Sequence, residues 1–176
     1  AAQEMYEKAE PLYQRALRIK EKTFGLKHPD VAAVLNNLAL LYDNQGLYKE
    51  AEPLYQRAQG IIEKALGPRH PEMGNSLDNL ACLYYFQGQY TKAKPLYKSA
   101  LEIKKKGLGP EHPSVARTLK NLANLYRMQG MYEKAEPMYQ RALSIFKAKL
   151  PAEHPDIKKV QAKYDDLKKK IAQRQK

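Results

Sequence analysis

The chain has 176 residues, with 31 Lys and Arg against 19 Asp and Glu, for a formal net charge of +12. That length suits one core-bearing unit, and the positive balance admits nucleic acid or acidic partners. One cysteine excludes an intramolecular disulfide and fits a reducing, cytoplasmic compartment. No apolar run reaches membrane-spanning length, and the opening AAQEMYEKAE has no signal-peptide character.

Taken in order, the first segment, about Met5–Lys22, spaces Tyr6, Ala9, Leu12, Tyr13, Ala16 and Leu17 as one face of a helix. A second helix begins near Asp30, whose acid suits a first turn. Leu35, Leu38, Ala39 and Tyr42 follow at helical spacing, widened by Val34 and Leu41. Gly46 interrupts the pattern at a turn. A further helical pattern runs through Tyr48, Ala51, Leu54, Tyr55, Ala58, Ile61, Ile62 and Ala65, and Gly67 ends it as a C-cap. Pro53 falls near the start of that helix, where few backbone hydrogen bonds are lost.

This unit then returns. VLNNLALLYDNQGLYKEAEPLYQRA at Val34–Ala58 recurs as SLDNLACLYYFQGQYTKAKPLYKSA at Ser76–Ala100 and as TLKNLANLYRMQGMYEKAEPMYQRA at Thr118–Ala142. The offset is 42 residues, kept by Tyr6, Tyr48, Tyr90 and Tyr132. A fixed period of this size means a stacked array. Three helix pairs are predicted, about Asp30–Leu66, Glu72–Gly107 and Ser114–Lys149, followed by a last helix at about Asp156–Ala172. Ala39, Ala51 and Ala58 recur beside Tyr42, Tyr48 and Tyr55, small against large, as facing helices require.

In the last helix the usual core positions hold Gln161, Asp165 and Lys168, so its apolar face is rotated and basic residues cover the rest. It reads as a solvated cap. A solenoid buries its core continuously, so one domain is expected over 1–176: a half repeat at 5–24, repeats at 30–67, 72–109 and 114–150, and a capping helix at 156–173. The chain starts inside a repeat, which predicts a piece of a longer protein.

The residues Leu35, Leu38, Ala39, Tyr42, Gly46, Tyr48, Ala51, Tyr55 and Ala58 resemble the tetratricopeptide repeat signature. The longer second helix, followed by LGPRHP at Leu66–Pro71 and LGPEHP at Leu108–Pro113, resembles the variant found in kinesin light chains. The resemblance implies an all-α, right-handed superhelical solenoid whose first helices line a concave groove for extended peptides.

Helical geometry places Ala33, Asn37, Leu40 and Asn44 opposite the core face of the first helix. The second repeat places Asn75, Asn79, Cys82 and Phe86 there, and the third Arg117, Asn121, Asn124 and Met128. Asn36, Asp43, Asp78, Tyr85, Lys120 and Arg127 flank this face. Asn37, Asn79 and Asn121 form a ladder of amides able to donate and accept to a ligand backbone; the alternative is that they bond neighbouring helices. Leu40, Phe86, Met128 and Tyr85 offer apolar contacts away from the core. Arg117, Lys120 and Arg127 gather positive charge. In the kinesin light chain relatives such grooves take short segments with an aromatic residue beside acids, which implies an acidic or aromatic peptide partner and a cargo-adaptor role.

No catalytic constellation is present by motif, and no glycine loop forms a phosphate cradle. His28, His70, His112 and His154 share one His-Pro slot, which points to a structural loop role rather than metal binding. Cys82 has no Cys or His at ligand spacing. No enzyme activity, metal or cofactor is expected. Nucleic-acid binding through the basic surface, or a purely structural assembly role, are the alternatives. Against the first, the cations spread over second helices and the cap with no accompanying motif. The uncovered apolar face of the first helix predicts weak homodimerisation or fraying of residues 1–10.

Overall fold

A computed structural model describes residues 2–174. It contains helices α1 (Ala2–Phe24), α2 (Pro29–Asn44), α3 (Tyr48–Leu66), α4 (Pro71–Phe86), α5 (Tyr90–Leu108), α6 (Pro113–Met128), α7 (Tyr132–Lys149) and α8 (Pro155–Arg174). Among the described residues there is no strand. The protein is an all-α repeat solenoid of helix–turn–helix units.

The first helix of each pair starts one residue earlier than the expected Asp30, Glu72 and Ser114, on the proline of the His-Pro slot. Proline at N1 lacks only an N–H that would be orphaned anyway, and its φ is already helical. The histidine before it is the N-cap. His28, His70 and His112 are extended, and their Nδ1 atoms accept the N–H of Asp30 (3.1 Å), Glu72 (3.2 Å) and Ser114 (3.1 Å). His154 does the same for Asp156 at 3.2 Å. Each cap satisfies one orphan donor and contributes on the order of 1 kcal/mol. At the other end Gly46, at φ 76°, turns the chain from α2 into α3 in a left-handed conformation that a side chain would strain. The prolines of the second helices lie further in than expected. Pro53 is held inside α3, which continues to Leu66.

The described chain divides into two compact units, residues 1–96 and 97–176, with the boundary inside α5. In the first unit, α2 packs on α3, α1 on α2, and α3 on α4, and the first helices α2 and α4 also touch. Its core sets small residues against large ones. Ala32, Ala39, Ala51 and Ala58 are fully buried around Leu35 and Tyr55, with Ile61, Ile62, Met73, Leu77 and Leu83 completing it. Each such large side chain contributes roughly 1.5–3 kcal/mol on burial, while enlarging one of the alanines would cost about 1–3 kcal/mol through overpacking. Neighbouring pairs are also tied by polar links that the apolar pattern does not reveal. Tyr42 donates to Glu10 and Tyr84 to Glu52, both at 2.7 Å. Arg57 pairs with Glu21 at 2.6 Å. The two tyrosine links are part-buried, whereas the exposed Arg57–Glu21 pair adds little stability.

The second unit repeats the scheme. α6 packs on α7 and α7 on α8. Val115, Ala116, Leu122, Ala123 and Leu125 meet Tyr139, Ala142, Ile145 and Phe146, and α8 adds Ile157, Val160 and Leu167. Gln161 and Asp165 of α8 are half-buried and Lys168 is exposed, so the core is served by the rotated apolar face. Lys104 is buried near the end of α5, and its ammonium donates to Thr118 Oγ1 at 3.3 Å. Arg174 closes the unit. It donates to the Gly130 carbonyl at 3.0 Å and stacks its guanidinium 4.1 Å from the centre of the Tyr132 ring. The end of α8 therefore clasps the turn between α6 and α7.

Candidate functional site

In the first unit the outward face of α2 carries Asn37, Leu40 and Asn44, all exposed, with Leu40 at 46 %. Asn36 beside them is half-buried, and its Oδ1 is enclosed without a partner among the described residues. On α4, Asn75 and Asn79 are half-buried, and Asn75 leans on Glu72 at 3.4 Å. Phe86 is 63 % exposed and meets Tyr85 edge-on, ring centres 5.4 Å apart. Tyr85 in turn tilts against Tyr90 at 5.6 Å. This is an aromatic ledge at the end of α4. An exposed Phe set against Tyr85, which itself rests on Tyr90, is a ready partner for an apolar or aromatic side chain. The Cys82 thiol is half-buried.

Two acids expected to flank this face turn inward instead. Asp78 is buried. Asp43 is also buried at the end of α2, its Oδ1 enclosed without a partner among the described residues, and burial pushes its carboxyl up to about 6. The buried Tyr55 phenol is pushed up as well, first by burial and then by Asp43 and Cys82. Removing these two carboxylates from the face leaves it less acidic than the sequence indicated.

In the second unit Arg117 is exposed and reaches Ser114 Oγ at 3.1 Å, Met128 is 50 % exposed, and Lys120, Asn121 and Arg127 are half-buried. Asn124 departs from the expectation that it faces solvent. It is buried, and its Oδ1 accepts from the Tyr139 hydroxyl at 2.6 Å and from the Lys163 ammonium at 3.1 Å. Its amide oxygen is committed to holding α6, α7 and α8 together. Lys163 was not foreseen at this site, although it stands one period after Asn121 and so continues the amide ladder as a cation.

The four histidines are committed to helix caps, and among the described residues no three His, Cys, Asp or Glu side chains gather as a metal site. The model of the tetratricopeptide repeat matches residues 1–59, 44–106 and 99–148. The chain belongs to the tetratricopeptide repeat family. No curated protein matches it. Among solved structures, this tetratricopeptide repeat chain is similar to BtubC (BKLC) from P. vanneervenii, with 25% identity and a TM-score of 0.82 over 95% of this chain and 66% of that one. It is also similar to the nearly identical TPR-like repeats assigned to a kinesin light chain of Podosopora anserina, at 29% identity and a TM-score of 0.74, covering 97% of this chain and 81% of that one. A point variant of the latter gives 29% identity and a TM-score of 0.75, over 97% of this chain and 80% of that one. Such tetratricopeptide repeats are protein–protein interaction scaffolds, a fold that is generally non-catalytic. No helix among the described residues is long and apolar enough to cross a membrane.

Proposed function

We propose that this protein is a non-catalytic adaptor of cytoplasmic type that binds short extended peptides, rich in acidic and aromatic residues, on the outward faces of its first helices. The observation that carries the reading is the Leu40, Tyr85 and Phe86 surface of the first unit. Leu40 and Phe86 stand exposed and Tyr85 half-buried on the helices that also carry Asn37 and Asn79, which can pair with a ligand backbone. In the second unit Met128 stands exposed beside Arg127 on α6, the helix that also carries Arg117 and Lys120, which supports acidic residues in the ligand. An extended peptide loses much conformational freedom on binding, so single-motif affinity is on the order of micromolar.

The test is an array of random peptides, followed by affinity measurement on those retained. Phe86→Ala removes an exposed ring without opening the core and is expected to weaken binding about tenfold, from the apolar area lost. Affinity should fall only mildly with salt. A steep log–log salt slope together with retention of oligonucleotides in place of peptides would instead favour the nucleic-acid alternative.

A further inference from the structure

The second unit concentrates positive charge in a way that recognition of single carboxylates does not require. On α6, Lys120, Asn124 and Arg127 follow one another at four and three residues, a spacing that stacks them on one face. On α8, Lys159, Lys163 and Asp166 repeat the same spacing. The two stripes face each other. Lys163 donates to Asn124 at 3.1 Å, and Arg127 meets Asp166 at 3.5 Å.

The charges do not balance. Lys163 is held below the usual ammonium range by burial and then by the neighbouring cations Arg127, Lys120 and Lys159. Asp166 is the acid that Arg127 reaches, and it is shared with Lys170 at 3.0 Å. Asp165, the other acid of this turn, is engaged with Lys168 at 2.9 Å. Arg127 also keeps unused donors. Its Nε is buried with no partner among the described residues, and its Nη2 lies 3.9 Å from the Met128 sulfur, a weak acceptor. Asn124 already uses its oxygen for Tyr139 and Lys163, so it fixes the position of the Lys163 ammonium.

Lys120, Arg127, Lys159 and Lys163 line these two stripes, and of them only Arg127 reaches a carboxylate among the described residues, Asp166, which it shares with Lys170; such a set suits a ligand with more than one charge and several acceptor oxygens. A carboxylate supplies one charge and two oxygens. A phosphomonoester supplies about −1.5 to −2 and three oxygens, matched to a guanidinium and several ammonium groups. We propose that the face shared by α6 and α8 binds a phosphomonoester, carried on a bound peptide as phosphoserine or phosphothreonine, with Arg127 and Lys163 as the inner ligands and Lys120 and Lys159 as the outer ones. The proposal rests on the peptide reading above and names the modification that would regulate it.

The test uses inorganic phosphate as the minimal probe, then matched peptides. Backbone amide shifts of the whole chain are followed by NMR during titration with phosphate and, at equal ionic strength, with acetate. Phosphate is expected to shift the amides of α6 and α8 around Asn124, Arg127 and Lys163 selectively, and acetate to leave them nearly still. Peptides retained on the array are then compared with Ser, Glu or phosphoserine at one acidic position. The phosphoserine form is expected to bind at least tenfold more tightly than the Ser form and several-fold more tightly than the Glu form. Lys159→Gln combined with Lys163→Gln should abolish that preference, while Lys98→Gln, an exposed change on α5, should leave it intact. Circular dichroism confirms folding, and Lys159→Gln alone, on an exposed side chain, serves if the double variant unfolds. Equal shifts with acetate, a preference equally lowered by Lys98→Gln, or displacement of phosphate by an oligonucleotide would overturn the proposal. Peptide binding without any phosphate response on α6 and α8 would overturn it and keep the peptide reading; phosphate binding without peptide binding would overturn the peptide reading and the phosphopeptide assignment with it.

Discussion

Replacing Asp43 with Asn should stabilise the protein at neutral pH. Asp43 is buried one residue from the end of α2, where the carbonyl end of the helix already disfavours an anion, and its Oδ1 has no partner among the described residues. Burial raises its carboxyl from 3.8 to about 6. Between these values the folded chain holds a proton that the unfolded chain has released. Stability therefore falls as pH rises from 4 to 6, and the whole penalty is present above 6. Roughly two pH units at ~1.4 kcal/mol each give a ceiling of about 3 kcal/mol at pH 7. A buried amide must also find partners, which offsets about 1 kcal/mol of that gain. Asp43→Asn should accordingly gain about 2 kcal/mol at pH 7 in urea unfolding and little at pH 4. A variant that is destabilised at pH 7, or whose change is the same at both pH values, would refute the reasoning.

Other substitutions probe the remaining parts of the account. His112→Ala removes the N-cap of α6 and should cost about 1 kcal/mol in denaturant unfolding, while His112→Asn, a good cap, should restore most of it. Tyr139→Phe leaves the buried Asn124 with Lys163 alone and should cost roughly 1–2 kcal/mol, measured the same way. The α1 face exposes Leu12 at 66 % and Ile19 at 53 %, so light scattering across a concentration series should show weak dimerisation that Leu12→Lys abolishes. A monomer at every concentration would remove that expectation.

The repeat architecture was legible because a fixed period multiplies each weak signal. Tyr55 alone could be surface or core, but its recurrence beside Ala51 and Ala58 marks a packed position, and it is buried. The caps were not legible as caps, because histidine is not a usual N-cap residue and the preceding pattern points only to a loop. At the candidate site, outward periodicity correctly placed Asn37, Leu40, Phe86 and Met128 on the exposed surface. It misplaced Asn124 and Asp43, since both lie at the edge of the helical face and their burial depends on what packs alongside. For Asn124 the covering groups are Tyr139, which follows it by 15 residues, and Lys163, which follows it by 39. A single-helix projection does not contain these distant contacts. The clasp of Arg174 on Gly130 was hidden for the same reason.

The claim that first-helix faces bind peptides is tested most directly by hydrogen exchange on the intact chain, with and without a peptide retained on the array for an aromatic residue beside acids. The account predicts that added protection falls on first helices, on α2 and α4 of the first unit or on α6 of the second, whose exposed faces carry Asn37, Phe86 and Met128. Protection confined to the second helices α3, α5 and α7, with α2, α4 and α6 unchanged at saturating peptide, would contradict it.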